Sequence, residues 1–192
     1  MVVLVIRLFL PIFSLVFTLT SSTELTYSTN FCSLTALNLA RLKCASLRSA
    51  QRQIFGIEPN KMGGTFDRQG GPQQLEINIL EREPADLASE LGTFDLLYSI
   101  EVAEHMEKGQ HEHVVAVFAA LSRKGTKLIF GAATPGQAGT GHIGMRPVKQ
   151  WAELWEAGGF VRHAEETQLV KQTVETYNHK KNVQVFYYGG KA

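Results

Sequence analysis

The sequence predicts an α/β fold: a mostly parallel sheet with helices on both faces. Three observations carry this. Strand patterns alternate with helical patterns of about ten residues through positions 33–192. The run Phe94–Ile100 is almost continuously apolar between Gly92 and a charged stretch, as a strand covered on both faces should be. The chain has 192 residues, 44% hydrophobic and 19% charged, which suits one ordinary core and excludes disordered and low-complexity classes.

The elements follow in order. Ser33 can cap a helix whose apolar stripe is Leu34, Leu37, Ala40, Cys44 and Leu47. Residues 53–57 read as a short strand that ends before Pro59, which cannot donate to a ladder. A loop from Met62 to Pro72 holds Gly63, Gly64, Gly70 and Gly71. Residues 75–80 alternate as a strand, and 85–91 form a short helix. After the Phe94–Ile100 strand, Val114, Phe118 and Leu121 place a helix over about residues 112–123, stopped by Gly125. Residues 127–132 are an apolar strand, and 134–146 a loop with four glycines. Pro147 stands at the first position of a helix with Val148, Trp151, Leu154 and Trp155 on one face, ended by Gly158-Gly159. A strand over 160–165, a helix over 168–177 and a strand over 182–188 complete the chain.

The first forty residues differ from the rest, with Arg7 and Glu24 as their only charges. One early cation, an apolar stretch and the small residues Thr20, Ser21 and Ser22 have the layout of a signal peptide. Uncut, residues 2–19 are at the short limit for a membrane anchor and give a possible membrane contact. The expectation is a leader or anchor over 1–22 and a domain over 33–192. The alternatives are a buried strand pair or a start foreign to the domain. A genuine leader places the protein in the secretory pathway or on a membrane; otherwise it is cytoplasmic. Cys32 and Cys44 read as small buried hydrophobes. A net charge of +1 leaves no basic footprint for nucleic acid.

In parallel sheets, ligands bind outside the carboxyl ends of the strands. There stand Glu58, whose two oxygens suit vicinal ribose hydroxyls, and Asn78, whose amide suits a base edge. The alternatives are a surface acid and a turn residue. After the third strand comes Ser99-Ile100-Glu101-Val102-Ala103-Glu104-His105.

The block Phe94-Asp95 to Glu104-His105, with the later Lys124-Gly125, Thr134-Pro135-Gly136, Gly141-His142-Ile143 and Gly159-Phe160, resembles the Rossmann-like S-adenosylmethionine-dependent methyltransferases over about residues 53–188. The resemblance implies a Rossmann-like methyltransferase sheet and S-adenosylmethionine as cofactor. It implies Glu58 at the ribose, Asn78 at the adenine, and Ser99, Ile100 and Glu101 near the methionine part. It also implies a glycine-rich turn after the first strand, and there the chain departs: no glycine precedes Gly56. The domain is therefore expected to be incomplete at its first strand.

The expected function is methyl transfer to an unidentified, small-molecule acceptor. His142 and His105 are the candidate proton acceptors, since a neutral imidazole takes up a proton near pH 7. The alternative is a degenerate, non-catalytic binding module of the same fold. A nicotinamide-dependent enzyme is a third reading, weakened by the same missing turn. Glu101, Glu104, His105, His111 and His113 raise the question of a metal. The expectation is none, because His111 and His113 are two apart where a helix begins.

Overall fold

The computed structural model of the protein describes residues 3–8, 52–60 and 73–190. Seven strands form one sheet: β1 (Val3–Leu8), β2 (Arg52–Glu58), β3 (Gln73–Glu76), β4 (Phe94–Ile100), β5 (Ser122–Gly131), β6 (Phe160–Arg162) and β7 (Gln184–Tyr188). Their order is β3-β2-β1-β4-β5-β7-β6. This is the doubly wound order 3-2-1-4-5 with a reversed β7 slipped in before β6. Strands β2 and β3 are parallel, as are β4 and β5, whereas β7 runs against both of its neighbours.

Five helices are described: α1 (Pro84–Leu91), α2 (His111–Ala120), α3 (Val148–Ala157), α4 (Ala164–Thr173) and α5 (Tyr177–Asn182). One face of the sheet carries the larger core, where Leu87, Val114, Val117 and Phe118 meet Leu97, Leu128 and Phe130. Trp155 of α3 is fully buried at its centre, with the rings of Phe118, Phe130 and Phe160 at 5.3, 5.0 and 5.3 Å. The other face buries Leu96, Ile100, Ile129, Val183 and Val185, with Val170 and Val174 packed against them. The expected α/β architecture with helices on both faces is what forms.

The first strand is the main surprise. Val3–Leu8 lies between β2 and β4 but runs antiparallel to both, pairing Val3 with Ile57 and Leu8 with Arg52. The place of a first strand is thus filled, in reverse. The described part of the expected leader is an interior strand, and its Val3, Val5 and Ile6 are β-branched residues suited to that place. Among the described residues, no helix is long and apolar enough to cross a membrane. The helix expected from Ser33, Cys32, Cys44 and the glycine loop at 62–72 lie outside the described residues.

Several boundaries shift for local reasons. The strand expected over 75–80 ends at Glu76, because the Asn78 side chain accepts from the Leu80 amide and opens a 3-10 turn over Ile79–Glu81. Helix α2 ends at Ala120 rather than near Arg123. The Ser122 hydroxyl donates to the Phe118 carbonyl there, and β5 starts at once. Gly125, at φ 89°, therefore sits within β5 beside a register shift against β4, not at a helix stop. Arg123 pairs with Asp95 across the same shift. The helix expected over 168–177 divides into α4 and α5, and β6 stops at Arg162, because His163 caps α4 by accepting from the Glu166 amide.

Candidate functional site

The carboxyl ends of β2, β4 and β5 share one edge of the sheet. Glu58 ends β2 and is 1% exposed; its Oε1 accepts from the Asn60 amide at 3.3 Å and from the Asn60 side chain at 3.4 Å. Asn78 is nearby in sequence but occupied: besides capping the turn, it donates to Glu81 at 2.8 Å. The turn reading of Asn78 describes what its amide does here.

Of the three residues at the end of β4, only Glu101 leaves the strand. Ser99 is buried in β4, and Ile100 belongs to the core on the α4 and α5 side. Glu101 has φ 54°, a left-handed conformation that a non-glycine residue holds at a cost of about 1–3 kcal/mol. Its amide is held by the Gly131 carbonyl of β5 at 2.9 Å. Sharp reversal at this point turns the following residues over the end of the sheet. They form a 3-10 turn over Ala103–His105 and a second over Lys108–Gln110. Helix α2 begins only at His111, so Glu101 and His105 do not share a helix face.

The loop after β5 folds back onto this turn. Amides of Ile143 and Gly144 both donate to the Glu104 carbonyl, at 3.0 and 2.9 Å. His105 Nδ1 lies 3.1 Å from the Gly141 carbonyl. A carbonyl only accepts, so Nδ1 carries the hydrogen and Nε2 keeps its lone pair. His111 Nε2 meets the Ala103 carbonyl at 3.0 Å, and its Nδ1 accepts from Arg146 Nε at 2.8 Å. The glycines are required by closeness. A Cβ on Gly144 would stand 1.9 Å from the Met106 carbonyl oxygen, and one on Gly139 2.1 Å from the His142 ring. His105 and His142 face each other edge-on, with centroids 5.0 Å apart.

Between turn and loop lies a polar cluster. Glu104 is fully buried, and neither of its oxygens makes a well-aligned hydrogen bond among the described residues. His142 Nε2 is 3.9 Å from Glu104 Oε1, while His142 Nδ1 is buried without a partner among the described residues. Glu101 Oε2 accepts from Gln137 at 3.2 Å, and Gln137 in turn accepts from Asn182 at 2.8 Å. Burial and the adjacent Glu104 push the Glu101 carboxyl up to about 7, against the opposing pull of His179 and His142. Burial also raises Glu104, although the Ala133 amide and Glu101 favour its charge. His105 is lowered by burial, partly offset by its bond to Gly141.

The structure thus brings together His105, His142 and Glu101, which the sequence singles out, and leaves Glu58 at the far end of the edge. It adds Glu104, Gln137 and Asn182. Glu104 stands within the Glu101–His105 block, but only the fold shows that it is buried. Gln137 and Asn182 carry no sequence signal.

No protein-family model matches the chain, and no curated protein matches it in sequence. Human N-acetylserotonin methyltransferase, in its complex with SAM, is a structural neighbour with a TM-score of 0.42 and 11% identity. The alignment covers 66% of this chain and 36% of that one.

Proposed function

We propose that the chain binds S-adenosylmethionine along the carboxyl edge of its sheet and serves methyl transfer to a small acceptor. The observation that carries this reading is the pair of acids ending β2 and β4, Glu58 and Glu101, on the same edge and one strand apart. Glu58 suits the ribose hydroxyls, because a buried carboxylate presents two acceptors in fixed geometry. The Glu101 end suits the reacting part of the ligand. There His105 and His142 stand as proton acceptors for an oxygen or nitrogen acceptor, beneath a loop that limits water. Methyl transfer from a sulfonium is an in-line displacement, so alignment and exclusion of water supply most of the rate.

A specific observation favours a second reading, a binding module of this fold without catalysis. Strand β1 runs backwards, so Leu8, where it ends, lies at the edge opposite Glu58 and Glu101, and its carboxyl end does not reach a ligand lying on theirs. The amino-acid part of the cofactor would then rest on other groups.

Calorimetry with S-adenosylmethionine tests the two readings. Binding is expected with the native chain, and Glu58→Ala should weaken it by about 1–3 kcal/mol, the cost of leaving ribose hydroxyls unpaired. No heat of binding in the native chain would rule out the first reading and leave the second.

A further inference from the structure

We infer that Glu104, His105 and His142 form a binding site for a divalent first-row transition ion. One donor atom from each lies within 4.8 Å of the other two. Ligands of a tetrahedral zinc ion at about 2.1 Å stand roughly 3.4 Å apart, so closure needs side-chain shifts of about 1 Å. Two imidazoles and a carboxylate are the donor set that zinc and its neighbours take, with a further position open.

Three further features point to a cation. Glu104 is fully buried, with neither oxygen in a well-aligned hydrogen bond among the described residues, and a bound cation would compensate its ionised form. No Lys or Arg forms an ion pair with Glu104 or Glu101 among the described residues; Arg146, the nearby guanidinium, is engaged by His111, Lys108 and Glu112. His105 has the tautomer of metal-bound histidines, with Nδ1–H on the Gly141 carbonyl and the lone pair on Nε2. Glu101 borders the site, its Oε1 buried with no well-aligned hydrogen bond among the described residues. His111 and His113 are excluded, since His111 binds the Ala103 carbonyl and Arg146, and His113 the Ile79 carbonyl.

The site does not depend on the methyl-transfer reading. If both hold, an ion here sits at the reacting end of the edge, where its open position takes an oxygen of the acceptor. The two imidazoles then hold the ion rather than accept a proton.

The test is titration of the full chain with Zn2+ by calorimetry and with Co2+ by visible absorption. One ion per chain is expected, with a Co2+ band of nitrogen and oxygen ligation. Glu104→Gln and His142→Ala, each checked for folding by circular dichroism, should each weaken binding by about 10–100-fold or more, while His163→Gln on α4 should not. Binding that is absent in the native chain, or unchanged in both variants while they remain folded, would overturn the site. Mg2+ binding with Zn2+ excluded would also overturn it, because it would remove the imidazoles from the ligand set. None of these readouts uses S-adenosylmethionine, so loss of cofactor binding and loss of the metal site are separate results.

Discussion

The two ends of the sheet's carboxyl edge are built differently. At the β4–β5 end, the turn after one strand and the loop after the next are locked together by Glu104, Gly141, Gly144, His105 and His111. Behind them stands the larger core around Trp155. At the β2–β3 end, the candidate residues bond to close neighbours in sequence: Glu58 to Asn60, and Asn78 to Leu80 and Glu81. A site assembled from distant segments is rigid and sensitive to remote change. One assembled locally survives such change but has little to position a ligand.

Trp155→Ala should break the first end most. It removes a fully buried ring from contacts with four phenylalanines, and a loss of about 3–5 kcal/mol is expected in denaturant unfolding. Gly144→Ala comes next. Its Cβ meets backbone oxygen rather than a flexible side-chain end, so the loop must move, at an expected cost of about 1–3 kcal/mol. Gly109→Ala is the control, with nothing within 4 Å, and should be neutral or slightly stabilising. If both glycine variants melt alike, the interlocking of turn and loop is not what holds this end. At the other end, Asn78→Ala should lose about 1 kcal/mol through the missing cap and leave Zn2+ titration unchanged.

The smallest effect lies away from both ends, on β5, β7 and α4. Glu166 is partly buried, which alone would raise it. The ion pair with Lys127 and the hydrogen bond from Tyr187, both at 2.6 Å, outweigh that and hold it below its usual range. A lowered carboxylate stabilises the fold above its unfolded pKa and loses that contribution as pH falls through the folded value. Native chain and Glu166→Gln should therefore differ by a constant amount near neutrality and converge in acid. A difference that grows in acid would contradict the pairing.

Periodicity placed β4, α1, α2, α3 and β7 within a few residues, because each has one apolar face or is apolar throughout and is buried accordingly. It misjudged the start of β5 and the end of α2. Ser122 and Thr126 settle the former by bonds to Phe118 and Phe94, contacts made across segments. The site was legible in its types but not its membership. Glu101, His105 and His142 stood out, while Gln137 and Asn182 entered only through a hydrogen-bond chain whose two links span 36 and 45 residues.

By itself, the sequence determined the alternation of strands and helices, the interior character of β4 and the chemistry available after it. Those follow from local propensity and apolar pattern, which act over a few residues. Only the tertiary structure decided the direction of β1, since an apolar strand of β-branched residues pairs either way and its neighbours choose. Tertiary structure also decided the burial of Glu104 and its meeting with His142. Burial depends on what covers a residue, and here the cover comes from a loop 38 residues further along the chain, with glycines small enough to let it close.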